Sequence, residues 1–115
     1  MRPHILVVDD DPSVAEVLAR QLGEFEVSVA TSGESALEKV RQNGLDLVIA
    51  DVRMPGMDGV KLLEHVKKLR PDAVRFILTG FTDAHAQEAA RRPGGAYKFK
   101  KPWGEELIVA VRRAL

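Results

Sequence analysis

The sequence predicts an α/β domain, a five-stranded parallel sheet with helices on both faces. Three observations carry that prediction. Strand-length apolar runs alternate with segments whose apolar residues recur at helical spacing, five times in series, giving a (βα)5 chain. The runs at 4–8, 45–50 and 73–78 are close to continuously apolar, the pattern of strands covered on both faces. Gly, Pro or Asn-Gly punctuation separates many of the units. Such alternation implies right-handed crossovers between parallel strands.

The first strand, His4 to Val8, stops at three aspartates. Asp11 can cap the helix that follows, and Pro12 suits its first position. Val14, Val17, Leu18 and Leu22 give that helix its apolar face, and Gly23 ends it. Residues 25–30 alternate through Glu26 and Ser28, a half-exposed strand nearer an edge. Thr31, with Glu34 three residues on, forms a candidate capping box for a second helix. Its face is Ala36, Leu37 and Val40, and Asn43-Gly44 closes it. The third strand, 45–50, ends at Asp51, and the loop from Arg53 to Gly59 carries three breakers. Asp58 caps a third helix striped by Val60, Leu62, Leu63, Val66 and Leu69, which stops before Pro71. The fourth strand, 73–78, ends at Thr79-Gly80. A weak helix at 83–92 has only alanines for an apolar face, and a loop at 93–95 follows. A short strand at 96–100 runs into Lys101-Pro102, and Leu107, Ile108, Val111 and Leu115 stripe the last helix.

The 115 residues form one domain, 1–115, with 45% hydrophobic and 30% charged residues, an ordinary globular balance. There is no cysteine, hence no disulfide framework and no thiolate metal site; this fits a cytoplasmic protein. No apolar run is long enough for a membrane span, and Met1-Arg2-Pro3-His4 runs straight into a strand rather than opening a secretory signal. Net charge is zero but unevenly spread. Residues 1–58 hold five Lys/Arg against eleven Asp/Glu, and residues 59–115 hold twelve against six. The first half can therefore present an acidic site and the second a basic face. Without a basic stripe, direct nucleic-acid binding is not expected.

Open parallel sheets bind ligands beyond the carboxyl ends of their strands. Here those ends carry Asp9-Asp10, Asp51, Thr79 and Lys101. Singly, Thr79 is a strand-end hydroxyl, Lys101 a surface lysine and Asp11 a helix cap. Together the four strand ends make a site. Clustered carboxylates repel unless a cation joins them. Oxygen donors, with His4, His65 and His85 lacking ligand spacing, select a hard ion such as Mg²⁺, or Mn²⁺. Mg²⁺ takes one or two carboxylates plus a phosphate, which leaves Asp51 as a nucleophile toward phosphorus. Thr79 and Lys101 can hold the phosphoryl oxygens.

These residues resemble the receiver domains of two-component response regulators. Val7-Val8-Asp9-Asp10-Asp11-Pro12 is similar to the family's acidic start, and residues 51–59 to its phosphoacceptor loop. Leu78-Thr79-Gly80 and Lys101-Pro102-Trp103 match its other two signatures, so the resemblance covers the whole chain. It implies a doubly wound, flavodoxin-like sheet of strand order 2-1-3-4-5. It implies that Asp9, Asp10, Asp51 and the Arg53 main-chain carbonyl hold Mg²⁺. Asp51 would take the phosphoryl group from a partner's phosphohistidine, on a sensor histidine kinase or a histidine phosphotransfer protein. Thr79 and Lys101 would read that group, small Gly80 would leave it access, and the Lys101–Pro102 peptide would be cis. Phosphorylation would switch the face built by the 83–92 helix, the fifth strand and the last helix. Arg91, Arg92, Lys98, Lys100, Arg112 and Arg113 would offer that face to an acidic output domain or effector, or to a phosphorylation-dependent homodimer. The family's aromatic switch position, three before the lysine, is Lys98 here. Tyr97 and Phe99 flank it and are the switch candidates beside Thr79.

Such a domain is a signalling phosphoacceptor that catalyses only its own phosphorylation and dephosphorylation. A small aspartyl-phosphate phosphatase or phosphotransferase is the main competing reading. Those enzymes commonly carry a second acid two residues after the nucleophile, where this chain has Arg53, and no cap domain is present to form a substrate pocket. A flavin or nucleotide site would need a glycine-rich loop after the first strand, where the three aspartates would repel phosphate. A degenerate receiver is disfavoured because every acceptor-site residue is present.

Overall fold

The computed structural model describes residues 2–42, 44–80 and 96–115. Five parallel strands, β1 (His4–Val8), β2 (Glu26–Ala30), β3 (Leu47–Asp51), β4 (Val74–Thr79) and β5 (Tyr97–Lys100), form one sheet in the order β2-β1-β3-β4-β5. Four helices connect or follow them: α1 (Pro12–Gln21), α2 (Gly33–Gln42), α3 (Gly59–Leu69) and α4 (Glu105–Ala114). The helix expected at 83–92 and its loop, with His85, Arg91 and Arg92, lie outside the described residues.

Strand alternation divides the core into two layers. Leu6, Val8, Val48, Ala50 and Ile77 face α2 and α3 and meet Ala36, Leu37, Val40, Leu62, Leu63 and Val66. Ile5, Val7, Leu47, Ile49, Phe76 and Leu78 face the other way and meet Ala15 and Leu18 of α1 and Leu107 and Val111 of α4. Both faces of β1 and β3 are therefore buried, which is why these strands read as unbroken apolar runs. β2 lies at an edge, as its alternation predicts.

Asp11 caps α1, its side chain accepting from the Ser13 backbone N–H at 3.0 Å, and Pro12 opens the helix. Asp58 caps α3 by accepting from the Lys61 N–H at 2.9 Å. The box expected from Thr31 and Glu34 does not form. Ser32 is the capping residue, accepting the Ser35 N–H at 3.1 Å, so the helix begins one residue later than the Thr31 reading requires. Some expected strand starts move inward. Phe25 and Leu45 pack into the core ahead of β2 and β3, and the carboxylate of Asp46 takes the His4 backbone N–H at 2.8 Å. His4 opens β1, and its Nε2 lies 2.7 Å from Ser28 Oγ on the neighbouring β2.

Candidate functional site

Every strand end singled out by sequence reaches the carboxyl edge of the sheet. Asp9 follows β1, Asp51 closes β3, Thr79 closes β4 and Lys101 follows β5. The side chains of Asp9, Asp10 and Asp51 converge, with one carboxylate oxygen from each within 4.8 Å of the others. Asp9 and Asp51 are buried, whereas Asp10 is exposed. Lys101 Nζ donates to Asp9 Oδ2 at 2.7 Å and stands 3.2 Å from Asp51 Oδ2, so one ammonium bridges acids from two strands.

The backbone holds this arrangement. The Asp9 N–H donates to the Ala30 carbonyl at 3.1 Å, and Asp9 Oδ1 accepts the Asp11 N–H at 2.9 Å, which turns the Asp9 carboxylate back over the strand end. The Val52 N–H donates to Leu78 O at 3.0 Å, continuing the β3–β4 ladder past Asp51. The Lys101 N–H donates to Thr79 O at 2.8 Å, tying two proposed phosphoryl-reading residues together through the main chain. The Lys101–Pro102 peptide is cis. Two residues on, Trp103 Nε1 donates to Gln21 Oε1 at 2.6 Å and fastens the turn to the end of α1.

Electrostatics follow from burial and proximity. Burial raises the Asp51 pKa above the ordinary carboxylate value; Lys101 opposes this, and the charges of Asp9 and Asp10 add to it. Burial works against the Lys101 charge, but its bonds and attractions to Asp9 and Asp51 outweigh that and hold its pKa above the ordinary lysine value. A pocket of three acids offset by one ammonium retains an excess of negative charge. Its donors are all hard oxygens. That set fits a small divalent cation such as Mg²⁺.

Among the candidate switch residues, β4 alternation places Thr79 on the α2–α3 face with Ile77. Phe99 and Tyr97 lie on the opposite face, against Phe76: Phe99 is tilted at 4.8 Å between ring centroids and Tyr97 is edge-on at 5.7 Å. Phe99 is half-buried, and Tyr97 is 64% exposed. Arg53 is exposed on the loop after Asp51.

Sequence reasoning treated Gly59 only as a breaker after its cap, and missed its packing. A Cβ there would stand 2.0 Å from Asp51 O and 2.8 Å from Asp51 C, because the start of α3 lies directly on the backbone of Asp51. The Gly59 N–H closes the loop onto Val52 O at 2.9 Å. The Asp-Gly pair ahead of an apolar helix was the available signal, but it identifies a helix start and not what the helix rests on.

A family model for the response regulator receiver domain matches residues 5–113. The transcriptional regulatory protein ZraR of Escherichia coli K12 is 40% identical over 115 residues, covering 96% of this chain and 26% of its own length. The chain thus spans about a quarter of that relative. The signal receiver domain of an HD domain-containing protein from Pseudomonas fluorescens Pf-5 superposes with a TM-score of 0.91 at 30% identity, over 99% of this chain and 94% of that one. The response regulator protein TrrA of Thermotoga maritima, in complex with Mg(2+)-BeF, gives a TM-score of 0.84 at 32% identity, over 98% and 99%.

Proposed function

The chain belongs to the response regulator receiver domain family, and from that premise we propose that it accepts a phosphoryl group on Asp51 from a phosphohistidine of a sensor histidine kinase or histidine phosphotransfer protein. The observation that carries the reading is the meeting of the Asp9, Asp10 and Asp51 carboxylates within 4.8 Å, with Lys101 Nζ bridging two of them. Isolated surface acids have no reason to gather in this way, since mutual repulsion raises the cost of each charge.

In the proposed reaction an Asp51 Oδ attacks phosphorus in line. The new O–P bond forms as the N–P bond of the donor breaks, and the imidazole leaves with its electron pair and takes up a proton. Asp9, Asp10, Asp51 and the Arg53 carbonyl are the residues that would hold Mg²⁺, which when bound neutralises phosphoryl oxygens and so favours attack by an anion on an anion. Lys101 turns its ammonium from the Asp51 carboxylate to the arriving phosphoryl oxygens, keeping Asp9 as its second partner. Buried Thr79 supplies a hydroxyl from the end of β4. Because Lys101 follows β5 directly, its movement shifts Phe99 and Tyr97 against Phe76 and carries the signal toward Lys98, Lys100, Arg112 and Arg113, for an acidic output surface or a second copy of the domain.

Arg53 occupies the place where a turning-over aspartyl-phosphate phosphatase would carry its acid, which favours a signal carrier over an enzyme for external substrates. Among the described residues no helix is long and apolar enough to cross a membrane. Intact-mass measurement after incubation with a small acyl phosphate tests the reading. One phosphoryl adduct is expected with Mg²⁺, and none with chelator or in Asp51→Asn. Labelling of Asp51→Asn, or continuous release of inorganic phosphate from many donors per protein at an enzymatic rate, would overturn it.

A further inference from the structure

The loop between Asp51 and α3 carries the Arg53 carbonyl. Its start is bonded to β4 and its end to Val52. Between them, Met54 is buried in the α2–α3 layer and Met57 packs against the same layer. Gly56 takes φ +75°, a left-handed turn that brings Met57 back toward the domain.

Met57 comes to rest on the first residue of α2. A Cβ on Gly33 would stand 2.8 Å from Met57 Cβ and 3.0 Å from both Cγ and Sδ. The tightest of these contacts is to Cβ, which only a backbone shift can move, so rotamer changes in Met57 cannot relieve it. Gly33 also lies three residues beyond Ala30, whose carbonyl accepts the Asp9 N–H at 3.1 Å. A short covalent path therefore runs from the backbone that fixes Asp9, through Ala30, to the notch that receives Met57. That notch joins the two halves of the proposed ligand set, the acids after β1 and the loop after β3.

We propose that Gly33 is a positioning residue for the cation site: its missing side chain is the seat that draws the 53–58 loop against α2 and fixes the segment carrying the Arg53 carbonyl. The proposal rests on the phosphoacceptor reading above, because it presupposes that this loop contributes a ligand. Groups that only orient ligands are commonly worth about 10- to 100-fold in metal affinity.

The test is a Mn²⁺ titration of the 115-residue chain, following loss of the free-ion paramagnetic signal, with Mg²⁺ as competitor. Gly33→Ala is expected to weaken binding about 10-fold. Met57→Gly empties the seat and should cost about threefold, and Gly33→Ala added to Met57→Gly should change affinity by no more than about twofold, since the clash partner is gone. Unchanged affinity in Gly33→Ala overturns the proposal, and so does an equal penalty in both backgrounds. If Gly33→Ala fails to fold, Met57→Gly decides: a several-fold loss supports the seat and wild-type affinity refutes it. Wild-type protein that binds no Mn²⁺, or binds it undiminished in Asp51→Asn, overturns the phosphoacceptor reading itself and this proposal with it. Failure of the seat alone leaves wild-type binding and its Asp51 dependence intact.

Discussion

Gly59→Ala separates helix propensity from packing at Asp51. The residue opens α3 and is not in the left-handed region, so alanine fits its backbone. Propensity alone favours the substitution by about 0.5–1 kcal/mol. Sterics oppose it. The new methyl would lie 2.0 Å from Asp51 O, 2.8 Å from Asp51 C and 3.1 Å from Val52 Cα, all backbone atoms of a buried segment. Ordinary contact requires α3 and the end of β3 to separate by about 1.4 Å, and overpacking of a rigid core costs about 1–3 kcal/mol. Taking the upper end, the net loss is about 2 kcal/mol, or about 8 °C in Tm for a domain of this size. The same displacement moves Asp51 by about 1 Å, enough to slow phosphoryl acceptance about 100-fold. Calorimetric melts and mass-detected labelling by an acyl phosphate measure both quantities, with Gly44→Ala as control, since a Cβ at Gly44 meets nothing within 4 Å. A Gly59→Ala protein that melts at or above the wild-type temperature and labels at the wild-type rate would refute the reasoning.

Other outcomes follow from the same contacts. Lys101→Met strips the ammonium from Asp9, whose side chain is only 3% exposed, and should cost about 2 kcal/mol in chelator. Saturating Mg²⁺ should return most of that loss in thermal melts, whereas a deficit unchanged by Mg²⁺ would mean that cation and ammonium do not share the pocket. For Asp51, burial first and the neighbouring acids next raise the folded pKa, with Lys101 opposing. A raised folded pKa means that its stability contribution is complete below the ordinary carboxylate pKa and is lost as pH climbs through the raised value. Asp51→Asn should therefore stabilise the metal-free domain at pH 7, a gain that shrinks in acid; a gain that grows on acidification would contradict the sign. Asp58→Ala removes the bond to the Lys61 N–H and should cost about 1 kcal/mol by denaturant titration, with no change in m-value.

The parts of the fold that were legible in sequence are those where one physical rule dominates. Ile5 to Val8 and Leu47 to Ala50 are buried on both faces, so burial overrides alternation and the strands read as apolar runs. Asp11 and Asp58 cap helices because their short side chains can reach the free N–H groups. The site was legible because the topology collects strand ends, so Asp9, Asp51, Thr79 and Lys101 could be placed on one edge before any distance was known. What sequence could not provide depends on tertiary approach. Thr31 and Ser32 are chemically near-equivalent caps, and packing of Ala36, Leu37 and Val40 selects Ser32 by fixing the helix phase. Gly33 and Gly59 look like ordinary helix-start glycines, and their importance comes from Met57 and the Asp51 backbone, 24 and 8 positions away. The bridge from Lys101 to Asp9 crosses 92 positions, a pairing that charge pattern alone cannot assign. Tyr97 and Phe99 turn to the Phe76 face because β5 keeps strict alternation through Lys98, with no bulge among its paired residues to return an aromatic to the face of Thr79.

Fluorine NMR of beryllofluoride, a stable stand-in for the phosphoryl group, tests the convergence of these acids into one cation-dependent acceptor most directly. Bound fluorine resonances should appear in the wild-type protein only when Mg²⁺ is present, and should vanish in Asp51→Asn and weaken strongly in Asp9→Asn. Bound resonances that persist in chelator, or that survive the loss of the Asp51 carboxylate, would contradict the account.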